Sequence, residues 1–328
     1  LYKILINNKL LIPHREVDAS SLSDRKSYKT IKPELIPFIS YPYEWSFSQL
    51  KNAALTTIKI QKYSLDFGMS LKDCSAYNIQ FLNGRPIFID TLSFEKLKPN
   101  KPWIAYRQFC QHFLAPLALM CCRDVRLSQL FRIYIDGLPL DLASSLLPWH
   151  TYFRFSLLTH IHLHARSQTA FAGSHRQTRT GRVSKRALLG LVDSLVGAIT
   201  RLEWGAGENT EWGSYSSEES YSAAGVEDKK RLVGEYLRRL KPRGVWDFGG
   251  NVGLYSRIGC EDRELTISFD VDPLAVERNY RQTVEQSEGN ILPLLLDLTN
   301  PSPGIGWDNT ERVGIQGRGS ADTIMALA

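Results

Sequence analysis

Three carboxylates and a cluster of glycines between Gly244 and Asp297 have the residue types and spacing of a small-molecule site. The run Gly244-Val-Trp-Asp247-Phe-Gly249-Gly250-Asn251-Val-Gly253 starts as a β-rich segment after Pro242 and breaks at its glycines, and Leu254 onward is expected to resume as a helix. A strand, a tight glycine turn and a helix form the nucleotide-cradling unit of open α/β sheets. Gly249 and Gly253 would let the backbone turn sharply and come close to a ligand, where side chains would block it.

The loop's departures from one pattern narrow the ligand. A dinucleotide site uses GxGxxG, which sets pyrophosphate against a helix N-terminus; here Val252 stands two residues after Gly250. Asp247 at the strand end would repel a diphosphate and would favour a sulfonium cofactor with a free amino group, which describes S-adenosyl-L-methionine. Leu265-Thr-Ile-Ser-Phe-Asp270 reads as a buried strand ending in an acid, about twenty residues past the loop, where ribose is recognised. A carboxylate there can accept from both ribose hydroxyls. Asp272-Pro273 then opens a helix, Pro being favourable in a first turn. A third strand, Ile291 to Leu296, ends at Asp297, placed to accept from an adenine exocyclic amine, and a fourth begins near Ser320. The competing reading gives these acids only capping roles in a sheet without a cofactor.

Together, Asp247-Phe-Gly-Gly-Asn-Val-Gly253, Phe269-Asp-Val-Asp-Pro273 and Leu294-Leu-Leu-Asp297 resemble class I S-adenosylmethionine-dependent methyltransferases, from about Lys229 to the end. The resemblance implies that Asp247, Gly249, Gly250 and Gly253 hold the methionine part, Asp270 the ribose, and Asp297 the neighbourhood of the adenine. Asn251 occupies a loop position that varies in that family. The partner implied is a methyl acceptor of unknown identity. Trp307 and Arg312, in the loop after Asp297, could line the substrate or cofactor side or simply pack; Trp212, Tyr215 and Tyr221 could form a lid or pack on the sheet. Such a sheet needs more strands than follow Asp247, so the domain reads as incomplete at Ala328, and Leu1 reads as the interior of a longer protein.

A second resemblance lies nearer the start. Leu71-Lys-Asp73-Cys-Ser-Ala-Tyr-Asn78-Ile-Gln-Phe and Ile87-Phe-Ile-Asp90 look like the catalytic loop and metal-binding strand of protein kinase-like and aminoglycoside phosphotransferase-like folds. By that likeness Asp73 would orient a hydroxyl, and Asn78 and Asp90 would hold magnesium. No His-Arg or His-Gly precedes Asp73, and no glycine-rich loop or paired lysine stands upstream. Tyr41-Pro-Tyr-Glu-Trp45, Phe88-Ile-Asp-Thr-Leu-Ser-Phe94 and Gln108-Phe-Cys-Gln-His-Phe-Leu-Ala-Pro116 resemble bacterial two-part proteins with an uncharacterised N-terminal region and a C-terminal methyltransferase, some named for nodulation.

The elements that must position these residues give an α/β class: an incomplete Rossmann-like sheet preceded by a mainly helical α+β domain, for which the second resemblance implies a kinase-like form. We divide the chain into 1–166, a linker and connecting helix over 167–228, and 229–328. Leu1 to Ile12 reads as strand-like. Helical spacing marks Ser46–Phe67, Tyr106–Cys122, Leu127–Tyr134, Leu140–Leu147, Tyr152–His164, Lys185–Leu202 and Asp228–Leu240, the last stopped by Lys241-Pro242. Asn83-Gly84 between two β-rich runs signals a hairpin.

With 43% hydrophobic and 23% charged residues over 328 positions, the chain can bury real cores and is not a disordered tail. No apolar run is long enough to span a membrane, and no signal-peptide pattern opens the chain. Its five cysteines include no CxxC pair, which argues against a zinc ribbon or disulfide framework and for reduced, cytoplasmic thiols. Arg166, Arg176, Arg179, Arg182, Lys185 and Arg186 form a basic stretch that would either attract nucleic acid or sit in a solvated linker, the latter preferred. His160, His162 and His164 are two apart on a predicted helix, where they share no face, so metal binding is not expected. Cys121-Cys122 is assigned to the core.

Overall fold

Alternation along the strands decides how the C-terminal sheet is covered. In β8 (Leu265–Asp270) Ile267 and Phe269 point one way and Thr266 and Ser268 the other. A computed structural model describes residues 1–17, 28–166, 183–205 and 222–327. In chain order its elements begin with α1 (Tyr2–Asn7), β1 (His14–Val17), β2 (Thr30–Pro33) and α2 (Phe47–Asp66), then β3 (Met69–Leu71), β4 (Ile79–Leu82), β5 (Arg85–Phe88) and β6 (Phe94–Lys96). There follow α3 (Tyr106–Phe109), α4 (Ala115–Cys122), α5 (Leu140–Leu146), α6 (Phe155–Leu157), α7 (Lys185–Thr200) and α8 (Ala223–Leu240). The last part holds β7 (Gly244–Phe248), β8, α9 (Pro273–Glu285), β9 (Ile291–Leu295) and β10 (Thr323–Ala326).

The four C-terminal strands form one parallel sheet in the order β10-β7-β8-β9. The chain is thus a mixed α/β protein. On one side of the sheet Val245 and Met325 pack with Val233 and Leu237 of α8. On the other, Trp246, Phe248 and Phe269 form an aromatic cluster that Phe38 closes edge-on, 5.9 Å from Trp246. That cover comes from the N-terminal region, and one buried cluster runs from Leu5 through α2, α4 and α7 to Ile267, Phe269, Leu292 and Leu294.

Helix α2 is the bolt between the regions. Ser46 caps it, with Gln49 returning a bond to the Ser46 N–H at 2.8 Å. The same Gln49 donates to Pro293 O in β9 at 2.9 Å, while Ser48 donates to Glu277 and Asn52 to the Tyr280 hydroxyl, both on α9. A second bolt is a buried ion pair. Glu44 and Arg318, each 2% exposed, meet through two hydrogen bonds of 2.5 and 2.7 Å. Ser302 also donates to Glu44, and the Arg318 guanidinium lies 4.6 Å over the Tyr41 ring. The segment joining β9 to β10 is therefore strapped across the N-terminal region.

Four elements differ from the sequence expectation. The opening residues form α1 and not a strand; only Leu10 to Ile12 are extended, tied to Phe88 by bonds of 2.9 and 2.8 Å. The Tyr106–Cys122 helix carries a π turn at Cys110–Leu114, one turn before Pro116. A proline inside a helix removes a donor and crowds the preceding turn, and a widened turn relieves both. Leu127–Tyr134 and the start of Tyr152–His164 are 3-10 turns, Val125–Arg132 and Trp149–Phe153, and a second π turn covers Leu158–His162. The Asn83-Gly84 hairpin pairs β4 with β5, Leu82 facing Arg85.

Removing one partner of a buried ion pair leaves an uncompensated charge, which costs about 3–5 kcal/mol. Glu44→Gln and Arg318→Met should each lose stability of that order in urea unfolding, and the double variant less than the sum. Single losses below about 1 kcal/mol would show that the pair is solvated.

Candidate functional site

The glycine loop turns all of its own donors inward. Gly249 and Gly250 both donate to Phe269 O at 2.9 Å, Asn251 N donates to Asp270 Oδ2 at 2.8 Å, and Gly253 N donates to Gly250 O at 2.7 Å. Val252 N is taken by the Asn251 side-chain oxygen at 2.8 Å. Gly249 (φ 73°), Asn251 (φ 47°) and Gly253 (φ 81°) adopt the left-handed backbone this path needs. No N–H of the loop remains to cradle a phosphate.

The helix expected from Leu254 is absent; residues 251–259 are a chain of turns. One helical-type bond forms, from Arg257 N to Gly253 O at 3.2 Å, and the next, from Ile258 N to Tyr255 O, is already a tighter turn. The Arg257 Nη1 also donates to Val252 O and Gly253 O at 2.8 and 3.0 Å, tying its side chain back onto the loop. Glu288 holds that guanidinium in an ion pair, 2.9 Å long, with both side chains 14% exposed. The loop consequently lacks the helix N-terminus that attracts anions.

A buried polar layer lies beneath it. Asp247, 1% exposed, accepts from Ser256 Oγ at 2.5 Å; the Ser256 and Ser268 hydroxyls are 2.9 Å apart, and Asn279 Nδ2 donates to Ser268 at 3.0 Å. Gly250 rests directly on this layer: a Cβ there would stand 2.3 Å from Ser268 Oγ. A Cβ on Gly249 would meet nothing within 4 Å, so the space over that residue is open. Ser256, Ser268, Asn279 and Arg257 were not anticipated; the signal available was polar residues at buried positions of β8 and α9.

Asp270 lies one step past the Phe248–Phe269 pair, so its carboxylate and that of Asp247 end adjacent strands on the same face of the sheet. Its two oxygens accept from Asp272 N at 2.9 Å and Asn251 N at 2.8 Å. Burial raises the proton affinity of Asp270, opposed by those amides. Burial also pushes Asp247 up to about 6, with the Ser256 hydroxyl opposing and the Asp270 charge adding. Asp297, half-buried just past the end of β9, is held below the usual range by the Thr299 hydroxyl and N–H.

The remaining candidates lie elsewhere. Trp307 is 86% exposed, and Arg312 stacks over the Tyr77 ring of the N-terminal region at 4.8 Å. Trp212, Tyr215 and Tyr221, and Arg176, Arg179 and Arg182 of the basic stretch, lie outside the described residues. Asp73 accepts from Ser75 N and Gln108 Nε2, and Asp90 from Leu92 N and Ser93 Oγ, so each acid closes a local turn. Asn78 sits at the hairpin base, its Nδ2 buried without a partner. His160 bridges the Tyr106 and Ser194 hydroxyls, and His162 those of Ser144 and Thr151. Among the described residues no three His, Cys, Asp or Glu gather as a metal site.

The fold and loop define an α/β protein with a carboxylate-rich site at the edge of a parallel sheet. The chain is similar to nodulation protein NoeA of Rhizobium meliloti (strain 1021), with 36% identity over 305 residues, 92% of this chain. It spans 64% of that relative's length. No protein family profile matches the chain, and no solved structure does.

Asp247 titrates near 6 when folded against an ordinary 3.8, so folding favours its protonated form. Its stabilising effect is full below about pH 4 and is lost as the pH rises through about 6. Asp247→Asn stays neutral throughout. Its unfolding free energy relative to wild type should therefore climb from about pH 4 to pH 7, by about 3 kcal/mol at most. A flat difference in urea titrations would show that the carboxylate is not desolvated.

Proposed function

We propose that the edge formed by β7, β8 and β9 binds S-adenosyl-L-methionine, and that the chain is part of a methyltransferase acting on an acceptor yet to be identified. The carrying observation is the inward turn of every N–H from Gly249 to Gly253 beside two carboxylates. A diphosphate would find no donors there and two acids; a phosphate-free, positively charged adenosyl ligand meets an attractive field. Read by order of appearance, the sheet runs 3-2-1-4, the opening order of doubly wound sheets, which bind ligands outside the carboxyl ends of their strands.

When bound, that cofactor supplies an electrophilic methyl group. The chain's own residues do the holding. Asp270, fixed by the Asn251 and Asp272 amides, retains acceptor capacity for two ribose hydroxyls. The open space over Gly249 admits the ligand against bare backbone. Asp247 supports the loop from below through Ser256, and so acts on the ligand through position and charge. The five cysteines are free, which suits a reducing cytoplasm, and no described helix is long and apolar enough to cross a membrane.

Calorimetric titration with S-adenosylhomocysteine tests the reading. Wild type should bind it, and Asp270→Asn should weaken binding at least about tenfold, the scale of one charged hydrogen bond. Wild-type protein that ignores this ligand but binds ATP or NAD would overturn it.

A further inference from the structure

Immediately beyond Asp270 a cleft of about 380 Å³ opens between the sheet edge and the N-terminal region. Its size is within the roughly 300–1,000 Å³ of small-molecule sites. Val271, Pro273, Leu295 and Asp297 form one wall; Gln129 and Arg132, from the 3-10 turn Val125–Arg132, form the other. Val271 is apolar yet 56% exposed, a surface suited to one face of a flat ring.

The polar atoms on the two walls have a definite sense. Gln129 Nε2 donates to Tyr43 O at 2.8 Å, which fixes the amide and leaves Oε1 as an acceptor. Asp297 Oδ1 receives both the N–H and the hydroxyl of Thr299, leaving Oδ2 as a second acceptor. Arg132 lies 5.4 Å over the Tyr43 ring, and its buried Nε has no partner. A donor without a partner at such a depth asks for an acceptor from outside. Arg132 also lowers the proton affinity of Asp297 without forming an ion pair with it, so the two charges face each other at a distance. The turn that carries them is held at both ends: Asp124 caps it through Arg126 N at 2.9 Å, and the Tyr77 hydroxyl donates to Phe131 O at 3.1 Å.

Two acceptors and a guanidinium donor complement a 6-aminopurine, whose amine donates and whose ring nitrogens accept. A 6-oxopurine would set its carbonyl against two acceptors. We infer that Gln129 and Arg132 complete the adenosyl pocket, so that the site is built jointly by the N-terminal region and the sheet, and that Gln129 and Asp297 select adenine by its amine. This rests on the proposed cofactor reading and extends it to residues outside the C-terminal sheet.

The test compares S-adenosylhomocysteine with its deaminated analogue, S-inosylhomocysteine, by calorimetry on the whole chain. Wild type should prefer the amino compound about tenfold or more, the scale of one mispaired buried hydrogen bond. Gln129→Ala should weaken the amino compound and narrow that preference. Arg132→Met, which keeps the stem against Tyr43, should weaken both ligands with an unchanged melting temperature. If Asp270→Asn loses binding while Gln129→Ala and Arg132→Met bind both ligands like wild type, the joint pocket is overturned and the cofactor reading stands. Equal weakening of both ligands by Gln129→Ala, with the preference intact, would reduce Gln129 to structural support and overturn the selection. Wild type that binds neither ligand would remove both proposals.

Discussion

Phe269 O receives the N–H groups of Gly249 and Gly250, and this shared acceptor fixes the character of the site. Buried or half-buried donors must be paired. Once the loop's donors are paired within the protein, what remains facing outward is bare glycine backbone beside the Asp270 carboxylate. Arg257 braces the loop from the side, its guanidinium donating to the carbonyls of Val252 and Gly253. The glycine loop that departs in sequence from the phosphate-binding pattern also lacks, in three dimensions, the free N–H groups a phosphate would need.

The polar layer beneath the loop has a packing role as well as an electrical one. Gly250 sits so near Ser268 that a side chain there would displace the Ser268 hydroxyl or lift the loop. Asp247, Ser256, Ser268 and Asn279 form a chain of short hydrogen bonds in which each group supports the next. The result is a floor of fixed height, which sets how far the loop stands above the strand ends.

The sequence disclosed some of this. Short apolar runs ending in an acid or glycines marked β7, β8 and β9, and the Lys241-Pro242 stop of α8 is visible in the residues themselves, with Lys241 taking a left-handed backbone at that end. The N-terminal helix escaped because Tyr2–Asn7 is too short for a helical period to show, and its neighbours Leu10 to Ile12 are indeed extended. The turns after Gly253 escaped because the residue types of Leu254–Arg257 are compatible with a helix, and the contacts that break it after one helical-type bond arise only in the fold. Ser256, Ser268 and Asn279 are ordinary polar residues until the fold stacks them. Gln129 and Arg132 belong to a segment far from the glycines in sequence, and only the shared core brings them to Asp297.

The aromatic cluster on β7 and β8 has a consequence for biosynthesis. Trp246, Phe248 and Phe269 share one buried cluster with Phe38 and the residues of α2, so part of their cover comes from the N-terminal region. A ribosome delivers the covering half first, so a large greasy surface must wait for strands made much later. For the same reason the sheet cannot be lifted out as a portable module: cut free, it would carry its sticky side outward.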